Sequence, residues 1–237
     1  MDILVISDSH IDPRRSCVNL WRDLAKYVQE KQPKYIVHLG DVACLDSQAH
    51  YIADRGDYKL EEEVECVALH LKAFEKYLSD ARNKARADHK KIYKPIKILC
   101  LGNHDIRKDV TVIEELFTEF GWIVAGYQDP VKIGDILFAH CLPRMNTDIT
   151  CVSPDELLSN WHSSVVVGHS HVQGYAEGFN LIDDKIIRAI KCPCFTSKPP
   201  TYGKLGACVW PLGFLEITLD PFEFTWRNIA CLTPKTC

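Results

Sequence analysis

Seven side chains able to ligate a transition metal fall in five short motifs, in order along the chain. Asp8 and His10 lie in Asp8-Ser9-His10, Asp41 follows Gly40, and Asn103 lies in Gly102-Asn103-His104-Asp105. His140 stands alone, and His169 and His171 belong to Gly168-His169-Ser170-His171. This set is larger than one ion requires and suits two ions sharing a bridging carboxylate, for which Asp41 is the natural choice. Carboxylate oxygen mixed with imidazole nitrogen favours Mn²⁺, Fe, Ni²⁺ or Zn²⁺ over Ca²⁺. The chemistry indicated is hydrolysis of a phosphate ester.

Each motif follows a short apolar run: Ile3 to Ile6, Tyr35 to Val37, Ile96 to Leu101, Ile136 to Ala139, and Val165 to Val167. Such runs, rich in β-branched residues, read as strands buried on both faces. Loops at the carboxyl ends of strands converge in α/β sheets, so one geometry can gather all five motifs. Asp8 and His10 stand two apart, and in an extended stretch their side chains would share a face.

Helical patterns alternate with these runs. Apolar residues from Val18 to Val28 suit an amphipathic helix, and Ser153-Pro154 reads as an N-cap followed by a first-turn proline. The segment between Asp41 and Gly102 carries a longer stripe: Leu60, Val64, Val67, Leu71, Phe74, Leu78 and Ala81. The stripe predicts a helix from about Lys59 to Ala85 within an insert over about 45–95. It faces either its own core or a partner copy, which makes the insert a candidate dimer seam. Basic residues cluster at its end, from Arg82 to Lys97. Beyond residue 185 come strand-like runs without helices, at Ile186–Ile190, Gly206–Trp210, Phe214–Leu219 and Phe222–Ile229. The expected fold is a four-layer αββα sandwich of two mixed sheets flanked by helices, in a single domain over 1–237.

The chain of 237 residues has 46% hydrophobic and 25% charged residues, an ordinary globular balance. A net charge of -4 argues against a broad cationic face for duplex DNA, while leaving room for a local basic patch. No apolar stretch is long enough to cross a bilayer. With 11 cysteines and no secretory leader at Met1, the chain reads as a cytoplasmic protein with buried thiols.

The ordered set D-x-H, G-D, G-N-H-D, H, G-H-x-H resembles the calcineurin-like metallophosphoesterase superfamily over Asp8 to His171. The resemblance implies that Asp8, His10, Asp41 and His171 hold one metal, and that Asp41, Asn103, His140 and His169 hold the other. It implies a hydroxide bridging the ions and in-line attack on phosphorus. His104 resembles the family's catalytic histidine, protonating the leaving oxygen or stabilising transition-state charge, with Asp105 orienting its imidazole. The partner implied is a phosphate ester of nucleotide type, with nucleic acid as an alternative, and Mn²⁺ is the favoured ion.

Departures from the family pattern narrow the substrate. Protein serine/threonine phosphatases carry an arginine after the second motif and end the third in Glu; here Val42-Ala43-Cys44 follows Asp41, and the third motif ends in Asp105. The variant fits a phosphodiesterase of a nucleotide or small organic phosphate, with a nuclease or a noncatalytic interaction module of the same fold as alternatives. Arg14, Arg15, Asn19 and Arg107, just beyond the first and third motifs, are candidate phosphate ligands.

Overall fold

The computed structural model describes residues 1–14, 16–49, 58–109, 111–197 and 210–232. Two mixed sheets carry the fold. In the six-stranded sheet β1 (Ile3–Ile6), β2 (Tyr35–His38), β3 (Ile96–Cys100) and β4 (Ile123–Ala125) run parallel. The antiparallel strands β10 (Gly213–Thr218) and β11 (Glu223–Asn228) complete it beyond β1. The second sheet has the order β5 (Val131–Ile133), β6 (Ile136–Ala139), β7 (Ser164–Val167), β9 (Lys185–Lys191), β8 (Gly174–Asn180). Here β6, β7 and β9 are parallel, and the two edge strands are antiparallel to their neighbours.

The continuous apolar runs divide between two faces, as a strand's period of two requires. Ile3 and Val5 meet Val37, Ile98, Phe138, Val166 and Ile190 in the core between the sheets. Leu4 and Ile6 point the other way, into a cluster with Trp21, Leu24 and Val28 of α1 (Val18–Lys31) and Leu71, Phe74 and Leu78 of α2 (Leu60–Ala87). Phe117 of α3 (Val112–Glu119) joins that cluster. On the outer face of the second sheet, Val165, Val167 and Ala189 pack against Leu157 of α4 (Pro154–Trp161). The layers are therefore αββα, as the sequence predicts.

The long stripe of α2 is spent inside the chain: Val67, Leu71, Phe74 and Leu78 are buried against α1 and the first sheet. A seam between copies is thus not what this stripe provides. Glu75, on the same helix and buried, accepts hydrogen bonds from Lys97 Nζ at 2.6 Å and Trp122 Nε1 at 2.8 Å, tying α2 to β3 and the end of α3. Ser153 caps α4 as its sequence predicts, its hydroxyl accepting from the Glu156 amide at 3.2 Å.

The carboxyl-terminal strands divide between the two sheets. β8 and β9 extend the second sheet, with β9 parallel to β7, while β10 and β11 return to the first. Of the run Gly206–Trp210, residues 206–209 lie outside the described residues, as does Arg15. Among the described residues no helix is long and apolar enough to cross a membrane.

Candidate metal centre

The seven candidate ligands sit on loops leaving the carboxyl ends of β1, β2, β3, β6 and β7. The structure brings six of them together in two groups that share Asp41: Asp8, His10, Asp41 and His171, and Asp41, His140 and His169. His10 Nε2 and His171 Nε2 are 2.9 Å apart, and His171 Nε2 lies 3.2 Å from Asp8 Oδ1. On the other side His140 Nε2 is 3.1 Å from both Asn103 Oδ1 and His169 Nδ1. Asp41 Oδ2 stands between them, 3.5 Å from His140 Nε2 and 3.9 Å from His10 Nε2.

Local backbone geometry explains why these side chains converge. Asp8, His10, Asp41, His169 and His171 all have positive φ, from 42° to 65°. Non-glycine residues adopt this left-handed region at a cost of order 1–3 kcal/mol each, and such strain concentrates at functional sites. The extended stretch expected for Asp8 and His10 is therefore replaced by left-handed turns, and convergence comes from the turns instead. The motif glycines admit a close approach. A Cβ on Gly102 would overlap Asp41 Oδ1 and its amide, and one on Gly168 would overlap the Ser7 hydroxyl.

Several groups outside the ligand set fix it. Leu39 O accepts from His140 Nδ1 at 2.7 Å, which leaves the Nε2 lone pair facing Asp41. His38, buried in β2, bridges two loops: its Nδ1 accepts from the Gly40 amide at 3.1 Å, so Nε2–H donates to Ser9 Oγ at 2.8 Å. A strand-interior histidine carries no motif, so sequence reading left this bridge unseen. Trp210 packs edge-on to His171 with ring centroids 4.3 Å apart, another contact without a sequence signal.

Asp105 does not orient His104. Its Oδ1 accepts from the amides of Val42 at 2.9 Å and Ala43 at 3.4 Å, and its Oδ2 from the Gly102 amide at 2.9 Å. The carboxylate is a clasp between the second and third motifs. The His104 imidazole is instead oriented by Cys44 O, which accepts from Nδ1 at 2.9 Å, and its Nε2 lies 4.0 Å from Asp41 Oδ2.

The other substrate candidates fare unequally. Arg107 reaches the site: Nη1 donates to Cys44 O at 2.9 Å, and Nη2 lies 3.1 Å from His104 Nε2. Arg14 stacks on Tyr58, 4.8 Å from its ring centroid. Asn19 is on the exposed side of α1, accepting from Arg22 at 2.9 Å.

The electrostatics suit a cation. Burial would raise Asp8, yet His171 beside it brings its carboxyl down to about 2. Asp41 is likewise depressed despite burial, by His140, His104 and His10 around it. Burial holds the His10 imidazole well below its ordinary value and so neutral. Asp8 Oδ1 is buried without a directed hydrogen bond. Burial also lowers His169, while Asp41 and Asp8 raise His140 against its burial. Anionic carboxylates, neutral imidazoles at His10 and His169 and a buried carboxylate oxygen without a directed hydrogen bond suit a divalent ion. The donor set therefore fits divalent metal.

A model of the calcineurin-like phosphoesterases matches residues 1–187. The chain belongs to the calcineurin-like phosphoesterase family. Phosphoric ester hydrolysis is that family's activity, and the buried Asp/His clusters are its expected metal site. Two solved structures similar to this phosphoesterase are a nuclease of Pseudomonas putida and the YfcE phosphoesterase of E. coli. The nuclease is 13% identical over 84% of this chain and 75% of its own, with a TM-score of 0.40. YfcE is 15% identical over 97% of this chain and 100% of its own, with a TM-score of 0.44. No curated protein matches the chain.

Proposed function

We propose that the protein is a two-metal phosphodiesterase acting on a nucleotide or small organic phosphate ester. The observation that carries this reading is Asp41 standing between the two donor groups with His104 beside it. One ion would be held by Asp8, His10, Asp41 and His171, the other by Asp41, Asn103, His140 and His169. Mn²⁺ is the favoured occupant, and Fe, Ni²⁺ and Zn²⁺ suit the same donors. Bound there, divalent ions supply Lewis acidity and an activated water for attack on phosphorus.

The protein's own groups do the rest. Cys44 O holds Nδ1–H of His104, so Nε2 is the nitrogen open to substrate, and as the imidazolium the ring would give its Nε2 proton to the leaving oxygen. Arg107 Nη2 faces that nitrogen, so an incoming phosphate oxygen meets the guanidinium and His104 together. The left-handed turns keep the ligands in place before substrate arrives, and little reorganisation remains at the reacting centre. Six of the nine described cysteines are buried and all nine are free thiols, which supports placing the protein in the reducing cytoplasm.

The test is hydrolysis of bis-p-nitrophenyl phosphate and p-nitrophenyl phosphate by metal-stripped protein refilled with Mn²⁺, with His104→Ala alongside. Diester turnover that exceeds monoester turnover and is lost in His104→Ala is the expected result. Preference for the monoester would make the protein a phosphomonoesterase instead.

A further inference from the structure

The basic run that follows the α2 stripe folds into a groove. Lys72, Lys76, Arg82, Arg86, Lys94 and Lys97 line a cavity of about 930 Å³ between the second half of α2 and the segment entering β3. Its lining sets those six cations against two carboxylates, Glu75 and Glu119, a charge of +4 in a chain whose net charge is -4. Charge this concentrated on an acidic protein marks an anion-binding face.

We propose that this groove is a binding site for single-stranded nucleic acid, separate from the metal centre. Three features favour it over a site for one phosphate or for an acidic peptide. The cations are strung out along the helix rather than converging. Lys72 to Arg86 spans about 21 Å at 1.5 Å per residue, which suits a linear backbone of phosphates. Lys72, Arg82 and Lys94 make no ion pair among the described residues, so their charges are available. Ile92, 41% exposed, and Phe120 also line the groove, offering apolar surface to bases that a carboxylate chain would leave unused.

Lys97 anchors the floor through Glu75 at 2.6 Å and the Phe120 carbonyl at 2.7 Å. Burial holds its ammonium below the ordinary value against the raising effect of Glu75. The groove opens at the amino-terminal end of β3, whereas the metal centre lies beyond its carboxyl-terminal end, on the order of 15 Å away at 3.3 Å per residue. The site therefore does not depend on the phosphodiesterase reading.

The experiment is fluorescence anisotropy of a labelled, phosphorothioate-protected oligo(dT) 12-mer on the full chain across a salt series. Arg82→Gln/Lys94→Gln is compared with a charge-matched control on the second sheet, Lys132→Gln/Lys185→Gln. The groove variant is expected to bind about tenfold more weakly in low salt, with a log–log salt slope shallower by about 1.4 for two lost phosphate contacts. The control is expected to match the parent protein. Absence of binding by the parent, or equal losses in both variants, would overturn the proposal. So would displacement of the oligonucleotide by polyglutamate of equal charge at equal concentration. Turnover of bis-p-nitrophenyl phosphate, measured on the same groove variant, is expected to be unchanged and reports separately on the metal centre.

Discussion

His104 donates through Nδ1 to the carbonyl of Cys44 at 2.9 Å, and Arg107 Nη1 donates to that same oxygen at 2.9 Å. One backbone carbonyl thus sets both the catalytic candidate and the cation beside it. The orientation of the His104 ring depends on the loop after Asp41, not on an adjacent carboxylate.

Removing the imidazole should therefore leave the metal ligands standing. His104→Ala is expected to lower kcat by roughly 10²–10⁴, the range for a lost general acid. Metal content per chain, measured by elemental analysis, is expected to match the parent protein. A loss of metal along with activity would make His104 a ligand instead.

Asp105 predicts the opposite pattern. Its carboxylate satisfies three buried amides, those of Val42, Ala43 and Gly102. Asp105→Ala leaves them without partners, at about 1–3 kcal/mol for each buried unsatisfied group. The variant should unfold at lower urea and bind metal more weakly, because the clasp between the second and third motifs is gone. Parent-like stability with lost turnover would instead give Asp105 a role in the chemistry.

His38 gives a pH dependence. Burial depresses its imidazole to about 3, against about 6.5 when unfolded, so the folded state keeps it neutral while the unfolded chain takes up a proton. Its contribution is complete above about pH 6.5 and is lost as pH falls toward 3, at about 1.4 kcal/mol per unit. Urea unfolding of metal-free protein between pH 7.5 and 5 should therefore show a steeper loss of stability for the parent than for His38→Gln. Parallel curves would contradict the assignment.

Gly168 tests the close approach of the loops. A Cβ there would overlap the Ser7 hydroxyl and crowd Asp8 Oδ2 at 2.7 Å. Gly168→Ala is expected to shift Asp8 and His169, weakening metal binding at least tenfold while far-ultraviolet circular dichroism stays unchanged. Full metal affinity in a folded variant would show that the loops have slack.

Much of this was legible in the sequence because its signals are strong ones. Short β-branched runs place β1, β2, β3, β6 and β7, and the polar residues behind them are the ones that meet. The stripe of α2 sets its length to within two residues at the ends, Leu60–Ala87 against about Lys59–Ala85. Other features have no one-dimensional trace. β8 contains two glycines and alternates weakly, β4 and β5 have three residues each, and α3 has eight. The left-handed turns at Asp8 and His10, the carbonyls of Leu39 and Cys44, and the His38 bridge are backbone or strand-interior features. Tertiary approach creates them, and residue type does not announce it. The role expected for Asp105 failed for the same reason: adjacency in sequence is not adjacency of side chains when a turn points one residue at a loop and its neighbour at a cleft.

The most direct test of the account is the number of metal ions held per chain. Metal-stripped protein titrated with Mn²⁺ and followed by calorimetry and elemental analysis should bind two ions, and Asp41→Asn should weaken both sites because that carboxylate lies between the two donor groups. A single ion per chain, or loss of one site alone in Asp41→Asn, would contradict a shared two-metal centre.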